Sequence, residues 1–382
     1  MDLKDYREQI DQVDNELVRL FQKRMDLAEK IGAYKRENGL PVLQSARERE
    51  KLTALSAQTQ PELQAYVRVL YSLLFELSRT WQSRGETCAV SDRVMAALES
   101  TPRCFPRAAS VACQGVEGSY SQLACERLFA DPSIQYFRNF EGVFSAIEAG
   151  FCQYGVLPVE NSTAGTVKRV YDLMISHDFC IVRSTRLKID HCLLTRESSG
   201  DIHEIFSHEQ ALSQCESFLH TLKDVKITPV ENTAVAARLV AESPRRDIAA
   251  IASRKCAELY GLKVRQSGIQ QEGNNHTRFI CIGKKPEIFP GADRTTVRLV
   301  LPHRTGALYK VLARLYALGI NLLKLESRPI PDSPFEFLFY WDFDGNLDDE
   351  RVVQALHQLK EDTQYIQILG NYPEAPFSSP SL

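Results

Sequence analysis

The spacing of apolar residues changes twice along the chain, and each change predicts a different kind of fold. From Asp2 to about Gly39, residues Ile10, Val13, Leu17, Leu20, Phe21, Leu27 and Ile31 recur mostly at steps of three and four, with charges between them, which is the period of one helix face. Asn38-Gly39 and Pro41 supply the stop. At 1.5 Å per residue such a helix is about 55 Å long, longer than a small domain is wide, so its apolar stripe needs cover from elsewhere. A second helix is predicted over Ser45 to Ala57. A third opens at Pro61, a residue suited to the first helical position, and carries Leu63, Val67, Leu70, Leu74 and Leu77. Three helices with so long a first member predict an intertwined dimer.

Between Arg84 and Ser110 the periodicity fades, which predicts a linker with at most one short helix. From Val111 onward short apolar runs (VACQG, YGVLPVE, FCIVRSTRLKIDHCLLT, IAAIAS, RFICIG) alternate with helical stretches, the signature of an α/β region up to about Pro286. After PEIFPGAD the order becomes strand, helix, strand, strand, helix, strand, that of a ferredoxin-like sheet. The expected organisation is therefore multidomain, α and α/β: a helical domain at 1–84, a linker at 85–109, an α/β domain at 110–286, a ferredoxin-like domain at 294–372 and a disordered tail at 373–382.

Composition narrows the function. The 382 residues are 44% hydrophobic and 25% charged, as in folded globular domains, and a net charge of −3 gives no global basic field for nucleic acid or an anionic membrane. No apolar run reaches the roughly 20 residues that span a bilayer. The opening MDLKDYREQIDQVDNEL is charged from its second residue, so a secretory signal is not expected and a cytoplasmic location is. The ten cysteines form no CxxC pair and sit mostly in apolar runs, as reduced core residues do. The sequons at Asn161 and Asn275 are then free for another use.

Any anion must be met by local clusters. Arg24 and Lys35 are eleven residues apart, within about 20° on one helix face and about 16 Å along it, so their side chains can bracket a small dianion. Arg7 lies about 25 Å from Arg24 along the helix, out of reach of the same ligand, so if it serves a site it serves a partner's. With YREQIDQVDNELVRLFQKRMDLAEKIGAYKRENGLPV followed by RERE, the segment resembles the all-helical chorismate mutases, whose dimers donate an N-terminal arginine across the interface. The resemblance implies that Arg7 is that arginine. It implies that Arg24, Lys35 and Arg47 hold two carboxylates and an ether oxygen, that Glu48 accepts the substrate hydroxyl, and that Ser78 and Gln82 make the remaining polar contacts. Gln44 stands where relatives often have aspartate, which weakens one contact.

In the α/β region three polar patches stand at element ends: GVEGSYS, PVENSTAGTV and SHEQALSQC. The first lacks both a Walker lysine and the third glycine of a dinucleotide fingerprint, but a glycine turn feeding a helix can cradle a carboxylate. Together with EGNNHTRFICIG the patches resemble prephenate dehydratase, from about Val111 to Pro286. That family implies two α/β lobes closing on a cleft, as in periplasmic binding proteins. It further implies Thr277 as the donor to the leaving hydroxyl of prephenate, and Ser119, Glu160, Asn161, Ser162, Thr163, Ser207, His208, Gln210, Arg278 and Phe279 as substrate contacts. A proton from elsewhere is needed, with Glu160 and His208 both open as its source.

PHRTGALYKVL and LLKLESRPI resemble the paired motifs of the regulatory ACT domain, which implies a phenylalanine site between two copies at Gly306, Ala307, Leu308, Glu326, Ser327, Arg328 and Pro329. Tyr309 departs from the valine of some relatives. The expectation is a bifunctional enzyme acting on chorismate and prephenate, inhibited by phenylalanine, at least dimeric, with no metal or cofactor. Two alternatives stand beside it: a dehydratase with a weakened mutase, and a non-catalytic sensor of aromatic metabolites.

Overall fold

The computed structural model describes residues 2–41, 44–82, 92–196, 200–271, 273–330 and 336–375. The chain divides into two compact units, 1–92 with 298–367, and 93–297 with 368–382.

In the first unit, helix α1 spans Leu3–Glu37, α2 spans Ser45–Ala57, and a 3-10 turn at Pro61–Leu63 leads into α3 at Gln64–Gln82. Asp2 starts α1 through a capping box: its carboxylate accepts from the Lys4 and Asp5 amides, while Asp5 accepts from the Asp2 amide. Only the C-terminal half of α1 is packed, burying Met25, Ala28, Gly32 and Lys35. Gly32 allows the close approach to α3, since a Cβ there would stand 3.1 Å from Gln82. Among the described residues nothing covers the first half: Ile10, Val13, Leu17 and Leu20 are 55–59% exposed, which is the uncovered stripe that the sequence predicts.

The C-terminal strands form one sheet in the spatial order Leu322–Pro329, Phe337–Asp344, Arg294–Val300, Tyr365–Tyr372, joined through helices Ala307–Ala317 and Glu350–Asp362 in the predicted chain order. Both helices bury one side, with Val311 and Leu315 on the first and Val352, Leu356 and Leu359 on the second. Helix α3 packs against Ala307–Ala317, so the helical segment and the C-terminal helices share a unit.

The second unit holds two sheets. The first runs Glu374–Ala375, Cys180–Lys188, His276–Gly283, Tyr154–Asn161, Ala108–Gln114, Asp131–Phe137, with Gly165–Thr166 added to Tyr154–Asn161. The second runs Lys263–Ser267, Cys192–Thr195, Ile248–Ala252, Glu204–Ser207, Lys226–Pro229. Each is covered by its own apolar clusters, one around Val111, Phe129, Val156 and Phe279 and others around Ala250, Ala237 and Ile251, so the region is two lobes rather than one core.

The linker holds the one short helix allowed for it, Asp92–Ser100, and one segment differs from expectation. The start of the predicted disordered tail is ordered: the Pro373 carbonyl accepts from the Ser184 amide at 3.2 Å, and Glu374–Ala375 pair in parallel with Ser184–Thr185. A sheet edge binds any extended backbone, whatever its side chains, so composition alone mispredicts such residues. The rest of the tail, 376–382, lies outside the described residues. Among the described residues no helix is long and apolar enough to cross a membrane, and the cysteines are free thiols, buried except Cys104.

Candidate active sites

The first site forms where α1, α2 and α3 meet. Arg24 donates to the Leu74 carbonyl at 3.0 Å and to the Ser78 hydroxyl, and lies 5.7 Å from the Phe75 ring centroid. Ser78 in turn donates to the Leu74 carbonyl at 2.7 Å, the pattern that lets a serine sit inside a helix. Burial lowers the pKa of both Arg24 and Lys35, with Glu48 acting against the shift in each case. Two cations are thus held partly dehydrated near one carboxylate, a setting that favours an incoming anion. Gln82 is buried, and its Oε1 has no hydrogen-bond partner among the described residues. Ser78 thus bonds Arg24, Glu48 lies near enough to Arg24 and Lys35 to act on both, and Gln82, one turn beyond Ser78 on α3, packs against Gly32 of α1. Gln44 and Arg47 are exposed on α2, Gln44 at its N-cap without a side-chain capping bond. Arg7 is exposed on the first half of α1.

One residue of this cluster escapes sequence reasoning. Arg79 is buried on α3 and its guanidinium is shared, one nitrogen on Glu48 and the other on Glu76. Its pairing with Glu76 follows helix spacing, but nothing local points to Glu48, 31 residues away.

The second site lies between the two lobes. Strand register sets Thr277 opposite Asn161, and the Asn161 amide donates to the Thr277 hydroxyl at 2.9 Å and to Asn275 Oδ1 at 2.7 Å. Asn161 Oδ1 accepts from the Thr163 amide, the Thr163 hydroxyl and the Ala164 amide at 2.7–3.1 Å, so one side chain fixes both the loop and the threonine. Ser162 exchanges bonds with the His276 backbone and Asn274, closing the two loops on each other. From the second lobe, Gln214 donates to Thr163 at 3.2 Å and accepts from Asn275 at 3.0 Å, and His191 lies 3.0 Å from its Oε1. Burial lowers the His191 pKa, Gln214 and Asp190 opposing it. These loops line a cavity of about 510 Å³ with Ser162, Thr163, Gln210, Gln214, Gln270 and Asn275 among its walls. The lining is polar but uncharged, and offers hydrogen-bond donors and acceptors to a small polar ligand.

The sequence does not single out Gln214 or His191 and shows Asn275 only within a sequon, since nothing in it places a second-lobe glutamine on a first-lobe loop. Other expected contacts are placed elsewhere. Ser207 is fully buried and donates to the Ile251 carbonyl at 2.7 Å. Arg278, next to Thr277 on a strand, points to the opposite face and donates to the Tyr372 hydroxyl at 2.8 Å. Phe279 is part of the first-lobe core. Ser119 is buried as the N-cap of helix Tyr120–Leu128, and Gly118 is pressed onto the second lobe, its carbonyl accepting from Ser253 and Cys256. The glycine turn is thus a joint between lobes. Glu160 is half-buried beside Arg278 in the register. His208 uses Nδ1 to cap its own helix by accepting from the Gln210 amide, and burial lowers its pKa against the opposing Glu209, so the neutral ring is favoured.

In the C-terminal module Gly306 takes a left-handed φ of +80° and starts the helix Ala307–Ala317. Ala307 and Leu308 line a cavity of about 330 Å³ together with Pro302, His303, Phe337 and Phe339. Glu326, Ser327, Arg328 and Pro329 lie on the edge strand, opposite Tyr340, Phe339, Leu338 and Phe337, with exposure alternating along it.

The three modules match three families: chorismate mutase type II over residues 6–83, prephenate dehydratase over 111–287, and the ACT domain over 295–361. Fold and sites together define a mutase joined to a dehydratase and a regulatory domain. The chain is 32% identical to the bifunctional chorismate mutase/prephenate dehydratase of Aquifex aeolicus (strain VF5), over 98% of each chain. It is 38% identical to the arogenate dehydratase/prephenate dehydratase 2 of Arabidopsis thaliana, over 69% of this chain and 72% of the other. The crystal structure of prephenate dehydratase from Arthrobacter aurescens in complex with L-Phe superposes with a TM-score of 0.65 at 28% identity, covering 71% of this chain and 92% of that one. The chain belongs to the bifunctional chorismate mutase/prephenate dehydratase family.

Proposed function

We infer that this chain carries both activities in phenylalanine biosynthesis: it rearranges chorismate to prephenate and converts prephenate to phenylpyruvate. The observation that carries this reading is that one chain holds both the partly buried cluster of Arg24, Ser78, Glu48 and Lys35 and the Asn161–Thr277 pair, which is tied through Thr163 and Asn275 to the walls of a polar cavity.

The first reaction is an internal rearrangement without nucleophile or proton transfer, so the protein need only hold the reactive fold and stabilise charge developing on the ether oxygen as its bond breaks. Arg24, Lys35 and Arg47 supply that charge, with Arg7 reaching in from a second subunit. Glu48 accepts the substrate hydroxyl, and Ser78 and Gln82 complete the contacts. In the second reaction the ring carboxylate leaves as carbon dioxide, its electron pair enters the ring, and the hydroxyl departs with a proton as water. Thr277 donates a hydrogen bond to that hydroxyl. Because its oxygen already accepts from Asn161, its own hydrogen is available for the substrate.

A homodimer completes the mutase site and covers the exposed apolar face of α1, and the edge strand of the C-terminal sheet gives phenylalanine a site between two copies. Inhibition follows if the amino acid binds the less active arrangement more tightly. The domain boundaries that serve this reading are 1–84, 110–286 and 294–372.

The test is to supply the purified protein with chorismate alone and follow prephenate and phenylpyruvate separately. Phenylpyruvate is expected. Prephenate accumulating without it rejects the Thr277 assignment, and untouched chorismate rejects the mutase assignment.

A further inference from the structure

The buried charges of α3 continue past the mutase site into the C-terminal helices. Glu76, 1% exposed, receives Arg79 and Lys310 on Oε1, the latter at 3.3 Å, and Arg314 on Oε2 through Nε at 2.9 Å and Nη2 at 2.7 Å. Arg314 also donates to the Gln358 carbonyl at 3.2 Å and pairs with Asp362. Beside this chain Thr80 and Gln354 join the same helices, Gln354 donating to the Thr80 carbonyl at 2.7 Å. With Glu48 at one end and Asp362 at the other, three carboxylates meet three cations, and Glu76, Arg79 and Arg314 in the middle are at most 6% exposed in their side chains.

Such a row cannot be repaired by water when one member is lost. Arg79 divides one guanidinium between Glu48 and Glu76, so its hold on Glu48 depends on how well Glu76 is served by Arg314. Burial by itself favours a neutral Glu76, yet Arg314 and Arg79 together keep its pKa below the usual carboxylate value.

We propose that Arg79 is a positioning residue of the mutase reaction, fixing the Glu48 carboxylate, and that its own setting is governed from the C-terminal module through Glu76 and Arg314. The proposal rests on the mutase assignment above. Among the described residues Arg314 bonds Glu76, Gln358 and Asp362 and no residue of the mutase site, so this row is its direct connection to Glu48.

The experiment uses the full chain. Chorismate consumption is measured for wild type, Arg79→Ala, Arg79→Lys, Arg314→Gln and the double variant Arg79→Ala/Arg314→Gln, with prephenate dehydration on the same preparations as the check on folding. For mutase kcat/KM, Arg79→Ala is expected to lose about tenfold or more, Arg79→Lys to recover part of that, and Arg314→Gln to lose several-fold in the wild-type background but nothing further beside Arg79→Ala. Wild type that leaves chorismate untouched rejects the mutase reading itself. With wild type active, an unchanged Arg79→Ala, or an Arg314→Gln loss that adds in full to it, overturns the proposal. Should Arg79→Ala not fold, Arg79→Lys takes its place in the cycle, and full additivity there overturns the proposal equally.

Discussion

Asn161 and Thr277, 116 residues apart in sequence, are joined by a 2.9 Å hydrogen bond in which the amide donates and the hydroxyl accepts. The direction of this bond leaves the threonine hydrogen for another acceptor. Thr277→Ala is therefore expected to lower prephenate dehydration by about two to three orders of magnitude, the scale of losing one aimed donor, while chorismate rearrangement is unchanged. Thr277→Ser keeps the hydroxyl and is expected to keep part of the activity. Separate assays with each substrate decide it, and equal loss of both activities in a folded protein would contradict the assignment.

Asn161→Asp tests the same bond from the other side. The substitution preserves an oxygen for Thr163 and Ala164 but replaces the donor facing Thr277 by an acceptor, which then competes with substrate for the threonine hydrogen. A fall in kcat of about a hundredfold is expected, with KM little changed, since misdirecting a positioned group by a fraction of a bond length has costs of this order. A KM effect alone would assign Asn161 to binding instead.

The dimeric mutase site predicts complementation between inactive subunits. Arg7→Ala and Arg24→Ala are each expected to abolish mutase activity, yet a mixture allowed to exchange subunits regains it, because a mixed dimer holds one site with neither lesion. For equal amounts and random pairing, about a quarter of wild-type activity is expected. No recovery after demonstrated exchange would place Arg7 in its own subunit's site or in none.

Phenylalanine sensitivity is expected to weaken in Ser327→Ala, which removes a hydroxyl from the edge strand opposite Phe339 without touching either catalytic site. The measurement is the phenylalanine concentration giving half inhibition of the dehydratase. An identical value would remove Ser327 from the effector site.

Acid stability has an identifiable contributor in the second lobe. Glu204 receives Lys226 at 2.9 Å, Thr228 at 2.7 Å and Arg245 at 2.6 Å, and these bonds, Lys226 first, hold its pKa at about 2 against an ordinary 4.5. Since the folded-state value is the lower one, this stabilisation is full above pH 4.5 and is lost as pH falls toward 2. Glu204→Gln should melt at a lower temperature than wild type at pH 6, and the gap should narrow below pH 4. A gap independent of pH would mean that the carboxylate charge is not involved.

Local pattern determined much of this protein. The apolar period fixed α1 to within two residues of its observed ends, because a helix face must repeat every 3.6 residues, and the order of elements in the C-terminal module was readable for the same reason. The cations Arg24 and Lys35 were legible because both lie on one helix, where spacing is geometry. What tertiary structure alone decided are the contacts between elements distant in sequence: Arg79 bridging Glu48 and Glu76, Gln214 crossing from one lobe to Thr163, and Arg278 turned from the cavity toward Tyr372. Periodicity states which face of a strand or helix is apolar, but not which partner meets the polar groups on the other face. That choice follows from the packing of whole lobes, and it is there that the positions of the reacting groups are set.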